Sequence, residues 1–332
     1  MDILHYIFQR NEDIAVKKAL NIAVLYGGDG PERQVSLKSG QAVIQALRDA
    51  AYKVEPFDVK SIEQLMDLKS SKFDSVFIAL HGSWGEDGRV QSVLETMKLP
   101  YTGSGPLACC LSMDKAASKG LLNLFGISTP EGVLVLKDSD YSLEKANSFV
   151  QKHGTIVVKP CNGGSTLGVT IVSEGQSLSQ ALCEAWKYDT RCILEKYIEG
   201  VDVAVTVWNN NGSLEALPSV MICPEKGFYD YDSKYTPGMT RYIVPAPFMP
   251  TVNTTIATMA CRTFETLSCD GYARIDFRVE EDGTPWVLEV NTAPGMTGTS
   301  LVPKAAAAAG YDFSTFLSKI VSLSFDKKGV CR

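Results

Sequence analysis

The 332-residue chain has 45% apolar and 21% charged residues, the balance of a globular protein and not of a disordered, collagen-like or coiled-coil one. At roughly 150 residues per domain this length corresponds to two or three domains. Lys plus Arg number 32 and Asp plus Glu 38, a net charge of −6, and no basic block stands out, so a nucleic-acid partner has no support. No apolar run approaches the ~20 residues of a membrane span, so no membrane association is expected. Residues 1–20 scatter Asp2, Arg10, Glu12, Asp13, Lys17 and Lys18, which fits neither a secretory signal nor a transit peptide. The nine cysteines include no C-x-x-C and point to reduced thiols in a cytoplasmic protein. His5, His81 and His153 are far apart, which argues against a His/Cys zinc site. A bound metal is therefore expected on oxygen ligands, as Mg²⁺ is.

Up to about Leu20 the chain reads as a surface helix or an N-terminal extension. Residues 22–26 form the first predicted strand, ended by Gly27-Gly28-Asp29-Gly30-Pro31. The spacing of Val35, Val43 and Leu47 predicts a helix over 35–50. Residues 52–59 are a second strand, and 75–80 a third, a continuous apolar run of the kind buried in a parallel sheet. A helix follows from near Gly88. This alternation predicts an α/β domain over 21–104. A helix from about Asp114, capped by Ser112 or Asp114, stops at Gly126. Short strands at 132–136, 155–159, 169–172 and 192–198 then come in runs, which predicts an α+β domain over 105–198. In the remainder, 199–332, residues 201–208 and 214–221 read as a hairpin around Asn209-Asn210-Asn211-Gly212. Residues 223–249 read as a long aromatic, Pro-rich loop, a length that is usually functional or mobile in a compact protein. A helix over 252–268 follows.

The stretch 272–291 carries the most chemistry. Residues 272–279 alternate apolar and charged residues, 286–291 do so less strictly, and Glu280-Glu281-Asp282-Gly283 lies between. Asp-Gly favours a two-residue type I′ turn. With that turn Glu281 faces Thr284, Asp276 faces Glu289 and Arg274 faces Asn291, opposed Cβ atoms being ~5 Å apart. Two opposed carboxylates repel unless a cation lies between them. Mg²⁺ held by carboxylates, an amide oxygen and substrate phosphates would remove the conflict. The other reading is a solvated face on which Arg274 is the salt-bridge partner.

A second stretch, 157–168, runs from a strand ending in Lys159 through Asn162-Gly163-Gly164-Ser165-Thr166-Leu167-Gly168. Its backbone N–H groups and hydroxyls suit phosphate, with Lys159 as a point charge. It is not a Walker A loop, because no G-K-[ST] closes it. Residues 27–30 likewise lack G-x-G-x-x-G, so a dinucleotide site is weakly supported.

Nine segments stand in an order that resembles the D-alanine–D-alanine ligase family of the ATP-grasp superfamily. They are GGDGPERQVSLKSG at 27–40, ALHGSWGEDG at 79–88, PYTGSG at 100–105, SMDKAASK at 112–119 and VKPCNGGSTLGV at 158–169. LEKYIEG at 194–200, FYDYDSKY at 228–235, ARIDF at 273–277 and LEVNTAPGMTGTSLVP at 288–303 complete the series. The resemblance implies an ATP-grasp architecture, with an N-terminal parallel-sheet α/β domain followed by central and C-terminal α+β domains that clasp ATP. It implies ATP-dependent joining of two D-alanines through a D-alanyl phosphate, for peptidoglycan synthesis, by a cytoplasmic homodimer.

By the same resemblance, Lys115 and Lys159 bind ATP phosphates, and Ser165 and Thr166 belong to the loop that closes over them. Glu195, Lys196 and Ile198 belong to the adenine segment and Asp202 is the ribose acid. Asp276, Glu289 and Asn291 hold two Mg²⁺ ions, with Mn²⁺ as a substitute. Arg274 and the Gly295 N–H stabilise a tetrahedral intermediate. Glu32 binds the first ammonium with His81 nearby, and Ser300 and Leu301 flank the second D-alanine. Lys234 and Tyr235 lie on a mobile lid within 223–249. Three positions depart from the usual family pattern: Thr166 replaces a second serine, Asp202 a glutamate, and Ala293 a serine. Two alternatives remain at this level: a ligase adding D-lactate or D-serine, against the first of which Tyr235 speaks, and an inactive nucleotide-binding regulator.

Overall fold

The computed structural model describes residues 20–68, 72–173, 176–210, 212–225, 229, 234, 236 and 238–326. Residues 1–19 of the N-terminal extension and Tyr235 lie outside these residues, as do 226–228, 230–233 and 237 of the expected lid.

The first sheet is parallel, with β1 (Asn21–Gly27) between β2 (Lys53–Val59) and β3 (Ser75–Ile78). Ala23, Val24 and Leu25 are fully buried, as a strand covered on both faces requires. Helix α1 (Arg33–Asp49) packs Val43 and Leu47 against Ile22 and Val24 on one face. Helix α2 (Arg89–Thr96) packs Val90 and Leu94 against Ala23 and Leu25 on the other. Because β2 and β3 flank β1, the loops leaving β1 and β3 diverge at the carboxyl ends of the strands. This topological switch point is where open α/β sheets bind ligands. Ser36 fixes that edge: its hydroxyl accepts from Gly27 N (2.8 Å) and donates to Ala79 O (2.7 Å).

Helix α3 (Pro106–Met113), absent from the sequence reading, leads into α4 (Lys115–Leu124). Asp114 is the cap between them, accepting from Ala116 N and Ala117 N. The second sheet is antiparallel, in the order β4 (Gly132–Leu136), β7 (Arg191–Lys196), β5 (Ile156–Pro160), β6 (Thr170–Val172). Helices α5 (Asp140–His153) and α6 (Leu178–Ala185) close a separate core of Val135, Phe149, Ile156, Val158, Leu182 and Leu194.

The third sheet centres on β8 (Val201–Asn210) and β12 (Tyr272–Val279). Helix α7 (Pro250–Thr266) covers one face with Ile256, Ala260 and Phe264, joined there by Leu122 of α4. The hairpin strand expected over 214–221 is instead two strands on one edge of β8, β9 (Ser213–Ala216) and β10 (Val220–Pro224). Pro218 has no N–H to give the ladder, so pairing lapses after Leu217 N donates to Thr206 O (2.8 Å). The stretch expected to lack structure after residue 223 contains β11 (Thr240–Ile243), which pairs with β10.

On the other edge, β12 pairs with β13 (Pro285–Asn291). Here two departures from expectation cancel. The turn is not a two-residue one: Glu280 N donates to Thr284 O (3.0 Å) and Gly283 N to Glu280 O (3.0 Å), with Gly283 at φ +90. That is a three-residue loop closed by a left-handed glycine, and it displaces the partner register by one. The register then shifts back between Asp276 and Phe277, leaving Leu288 unpaired. Asp276 therefore faces Glu289 and Arg274 faces Asn291, as expected. Helices α8 (Leu301–Ala308) and α9 (Phe313–Leu323) return to the first sheet, where Phe316, Leu317 and Val321 share a core with Val43 and Leu47.

At Gly283 a Cβ would meet Val252 Cγ2 at 2.7 Å and hold the wrong sign of φ. Gly283→Ala is expected to lose about 1–2 kcal/mol, the cost of a left-handed non-glycine residue, read as a lower urea midpoint at unchanged slope.

Candidate active site

One cleft, of about 1120 Å³, opens between the second and third sheets. A second, of about 1200 Å³, opens where the first sheet meets the third. Both are lined by Gly164, Tyr229, Lys234 and Glu289, so the two adjoin.

The first cleft is basic at its inner end. Lys115, the first residue of α4, donates to Gly163 O (2.7 Å) and stands 3.8 Å from Glu289 Oε2. Lys159 at the end of β5 pairs with Glu195 Oε2 on the adjacent β7 at 2.7 Å. Burial alone would raise the Glu195 carboxyl, but Lys119 and Lys159 hold it below its ordinary value. Glu195 Oε1 lies 3.2 Å from Lys119 and has no hydrogen-bond partner among the described residues. Ile198 is buried in the wall, Lys196 is exposed at the rim, and Asp202 is paired with Arg278 at 2.9 Å.

Ser165 and Thr166 both have positive φ (52 and 63), uncommon for non-glycine residues. They turn the loop so that the Ser165 hydroxyl donates to Glu32 Oε1 and Thr166 Oγ1 reaches Tyr229 O at 3.3 Å. Lys234 sits over the Tyr229 ring, 5.2 Å from its centroid.

The β12–β13 face supplies the opposite charge. Arg274 grips Asp276 through Nε and Nη2, both at 2.7 Å, and Asn291 Nδ2 donates to Asp276 Oδ2 at 3.0 Å. Both sequence readings of this face are thus present: the carboxylates are opposed, and Arg274 is a partner to one of them. Burial opposes ionisation of Glu289, yet Lys115, Lys234, Lys159 and Arg274 draw it down to about 2. At Asp276 burial outweighs Arg274 and the carboxyl is raised. Among the described residues no group of three or more His, Cys, Asp or Glu is arranged for a metal. Two carboxylates and an amide are the set expected where substrate phosphates complete the coordination.

In the second cleft Glu32, the residue before α1, makes no side-chain cap to that helix and turns to the Gly164-Ser165 loop instead. His81 spans from Ser39 Oγ (2.9 Å at Nε2) to Ala293 O (2.8 Å at Nδ1). The carbonyl can only accept, which assigns the proton to Nδ1. Burial lowers the ring to about 4, so it is neutral at physiological pH. Ser300 precedes α8 and accepts from Thr297 N at 3.0 Å, and a Cβ on Gly295 would meet Ser300 Oγ at 3.0 Å. The Gly295 backbone and Ser300 therefore form one wall, with Leu301 behind it.

The family profile described as D-ala D-ala ligase C-terminus matches residues 121–322, and the one described as D-ala D-ala ligase N-terminus matches residues 61–104. A D-alanine–D-alanine ligase of Syntrophotalea carbinolica is 43% identical over 301 residues, covering 91% of this chain and 95% of that protein. The chain belongs to the D-alanine–D-alanine ligase family. Among solved structures, the Bacillus anthracis D-alanine–D-alanine ligase complexed with ATP superimposes with a TM-score of 0.79 at 32% identity, covering 92% of this chain and 98% of that one. The VanG D-Ala:D-Ser ligase of Enterococcus faecalis does so with a TM-score of 0.79 at 29% identity, covering 92% and 99%.

Of the residues that the D-alanine–D-alanine ligase resemblance singled out, all but Tyr235 lie within the described part of the chain. Each of them lines one or other of the two clefts. Sequence reasoning passed over Glu86, although it quoted the segment containing it. Gly82 N donates to Glu86 Oε2 (2.9 Å) and Ala293 N to Oε1 (3.2 Å), and the carboxyl faces the same cleft as Glu32. An acid within the glycine-rich loop leaving β3 was the available signal. It also passed over Lys119, one turn after Lys115 on the same face of α4.

Burial and the neighbouring Glu32 raise Glu86 to about 8. A carboxyl raised on folding binds more protons in the native than in the unfolded state between its two pKa values. Stability from this group is therefore lost as pH rises from about 4.5 to 8. Wild type is expected to lose about 1 kcal/mol more than Glu86→Gln between pH 6.5 and 8, measured by urea unfolding. Parallel pH dependences would refute the assignment.

Proposed function

We propose that the chain uses ATP to join two molecules of D-alanine into D-alanyl-D-alanine, through a D-alanyl phosphate. The sharing of Gly164, Lys234 and Glu289 by the two clefts carries this reading, since it sets a basic nucleotide pocket against a pocket for an amino acid. Adenine would lie against Ile198 and Leu288, with Asp202 near the ribose. Lys115, Lys159 and Lys234 would hold the phosphates, and Ser165 and Thr166 would close over them. Glu32 would hold the first D-alanine by its ammonium, with neutral His81 fixing the loop beside it.

The carboxylate of that D-alanine attacks the γ-phosphorus and ADP leaves. The free amine of the second D-alanine, flanked by Ser300 and Leu301, attacks the acyl carbon. The oxyanion develops toward Arg274 and the Gly295 N–H. The amine proton is lost, phosphate leaves, and the peptide bond remains. Lys234 and Tyr235 on the lid would exclude water from the acylphosphate.

Asp276, Glu289 and Asn291 fit two Mg²⁺ ions, or Mn²⁺ in their place, because Glu289 is ionised and accepts no hydrogen bond among the described residues. Bound there, the metal would neutralise charge on the transferring phosphoryl group. The three sheets support domains over 21–104, 105–198 and 199–332, with 111–127 packed on the third sheet. A homodimer acting in the cytoplasm on behalf of peptidoglycan synthesis completes the proposal. Among the described residues no helix is long and apolar enough to cross a membrane.

Phosphate release should require D-alanine, with the dipeptide as product by mass spectrometry. Faster release with D-serine or D-lactate would change the second substrate, and ATP binding without release on any acceptor would leave a regulator. Glu289→Gln should fold normally and lose most turnover. Near wild-type activity at ordinary Mg²⁺ would remove Glu289 from the metal site.

A further inference from the structure

Lys119 touches neither cleft, yet it is buried beside the nucleotide pocket. Its ammonium donates to Thr129 Oγ1 (2.6 Å) and Pro130 O (2.9 Å) and stands 3.2 Å from Glu195 Oε1. Thr129 Oγ1 donates onward to Val287 O on β13 at 2.8 Å. Burial lowers the ammonium to about 8 against the pull of Glu195, so it is protonated at neutral pH.

The charge count around Glu195 is the unusual feature. A single buried carboxylate would be neutralised by Lys159 alone, at 2.7 Å. That pair would then offer no net charge to an incoming anion. A second lysine on the other oxygen leaves the buried triad with one surplus positive charge. The triad meets the cleft through Lys159 and Glu195, not through Lys119.

We propose that Lys119 is a positioning residue for nucleotide binding: by taking up one oxygen of Glu195, it leaves the charge of Lys159 available to the phosphates of ATP. This rests on the nucleotide reading of the cleft. A surplus buried cation costs stability until an anion arrives, and the arrangement is tolerable in a site that is filled during turnover.

The experiment compares wild type, Lys119→Met and the double variant Lys119→Met/Glu195→Gln, all confirmed as folded by circular dichroism. ATP binding is measured by calorimetry and the KM for ATP and for D-alanine by phosphate release. Lys119→Met is expected to weaken ATP binding and raise its KM about tenfold, a single lost charge contact, with the KM for D-alanine within about twofold of wild type. The double variant removes both charges and restores the surplus on Lys159, so it should bind ATP at least about threefold more tightly than the single variant. General loosening of the structure would not produce that recovery. Unchanged ATP binding in Lys119→Met, or a double variant no better than the single, would overturn the inference. Failure of wild type to bind ATP would instead overturn the nucleotide reading itself.

Discussion

Electrostatic imbalance at one place shapes the rest of this molecule. Lys115, Lys119, Lys159, Lys234 and Arg274 converge on the buried Glu195 and the half-buried Glu289 and Asp276. Cations out of water are expensive unless paired or hydrogen bonded. The fold meets that demand only in part, through Glu195 for two lysines and through backbone carbonyls at Gly163 and Pro130. What is left over is an unsatisfied attraction for polyanions, held in place by rigid strands and one helix.

The three sheets deliver different chemistry to that point. The parallel sheet contributes loops from a topological switch, bringing Glu32, His81 and Glu86 together without any of them belonging to a strand. The four-stranded sheet contributes Lys159 and Glu195 from paired neighbours. The third sheet contributes four polar residues in one column of a hairpin. No single sheet could place an ammonium site, a phosphate site and an acid cluster side by side.

Much of this was legible in the residues. Alternation of strand and helix, and the glycines closing β1, located the first sheet within a few positions. The pairing of Asp276 with Glu289 followed from period-two patterning, although it was reached through the wrong turn. The extra loop residue and the extra residue at Leu288 offset one another, and only hydrogen bonding could distinguish that from a simple hairpin. The split at Pro218 was visible as a proline but was overridden by the apolar residues on either side. Short α3, with Pro106 at its start and few polar residues, lacked an amphipathic signature. Glu86 and Lys119 were hidden for another reason. Their importance lies in what they face, and burial beside a like charge or a second lysine cannot be read along the chain.

The core of the four-stranded sheet is drawn from residues 133–194 alone, whereas the first and third sheets share one through α8 and α9. Ala293 is held by His81 at its carbonyl and by Glu86 at its amide, which riveted those two sheets together a second time. The molecule is thus an anvil of two sheets with one independently built jaw. The nucleotide cleft is divided by that seam, with Lys115 and Glu289 on the anvil and Lys159 and Glu195 on the jaw. A swing of the jaw would pull the cleft in half and release spent nucleotide, while the amino-acid pocket would lose little more than its Gly164-Ser165 roof.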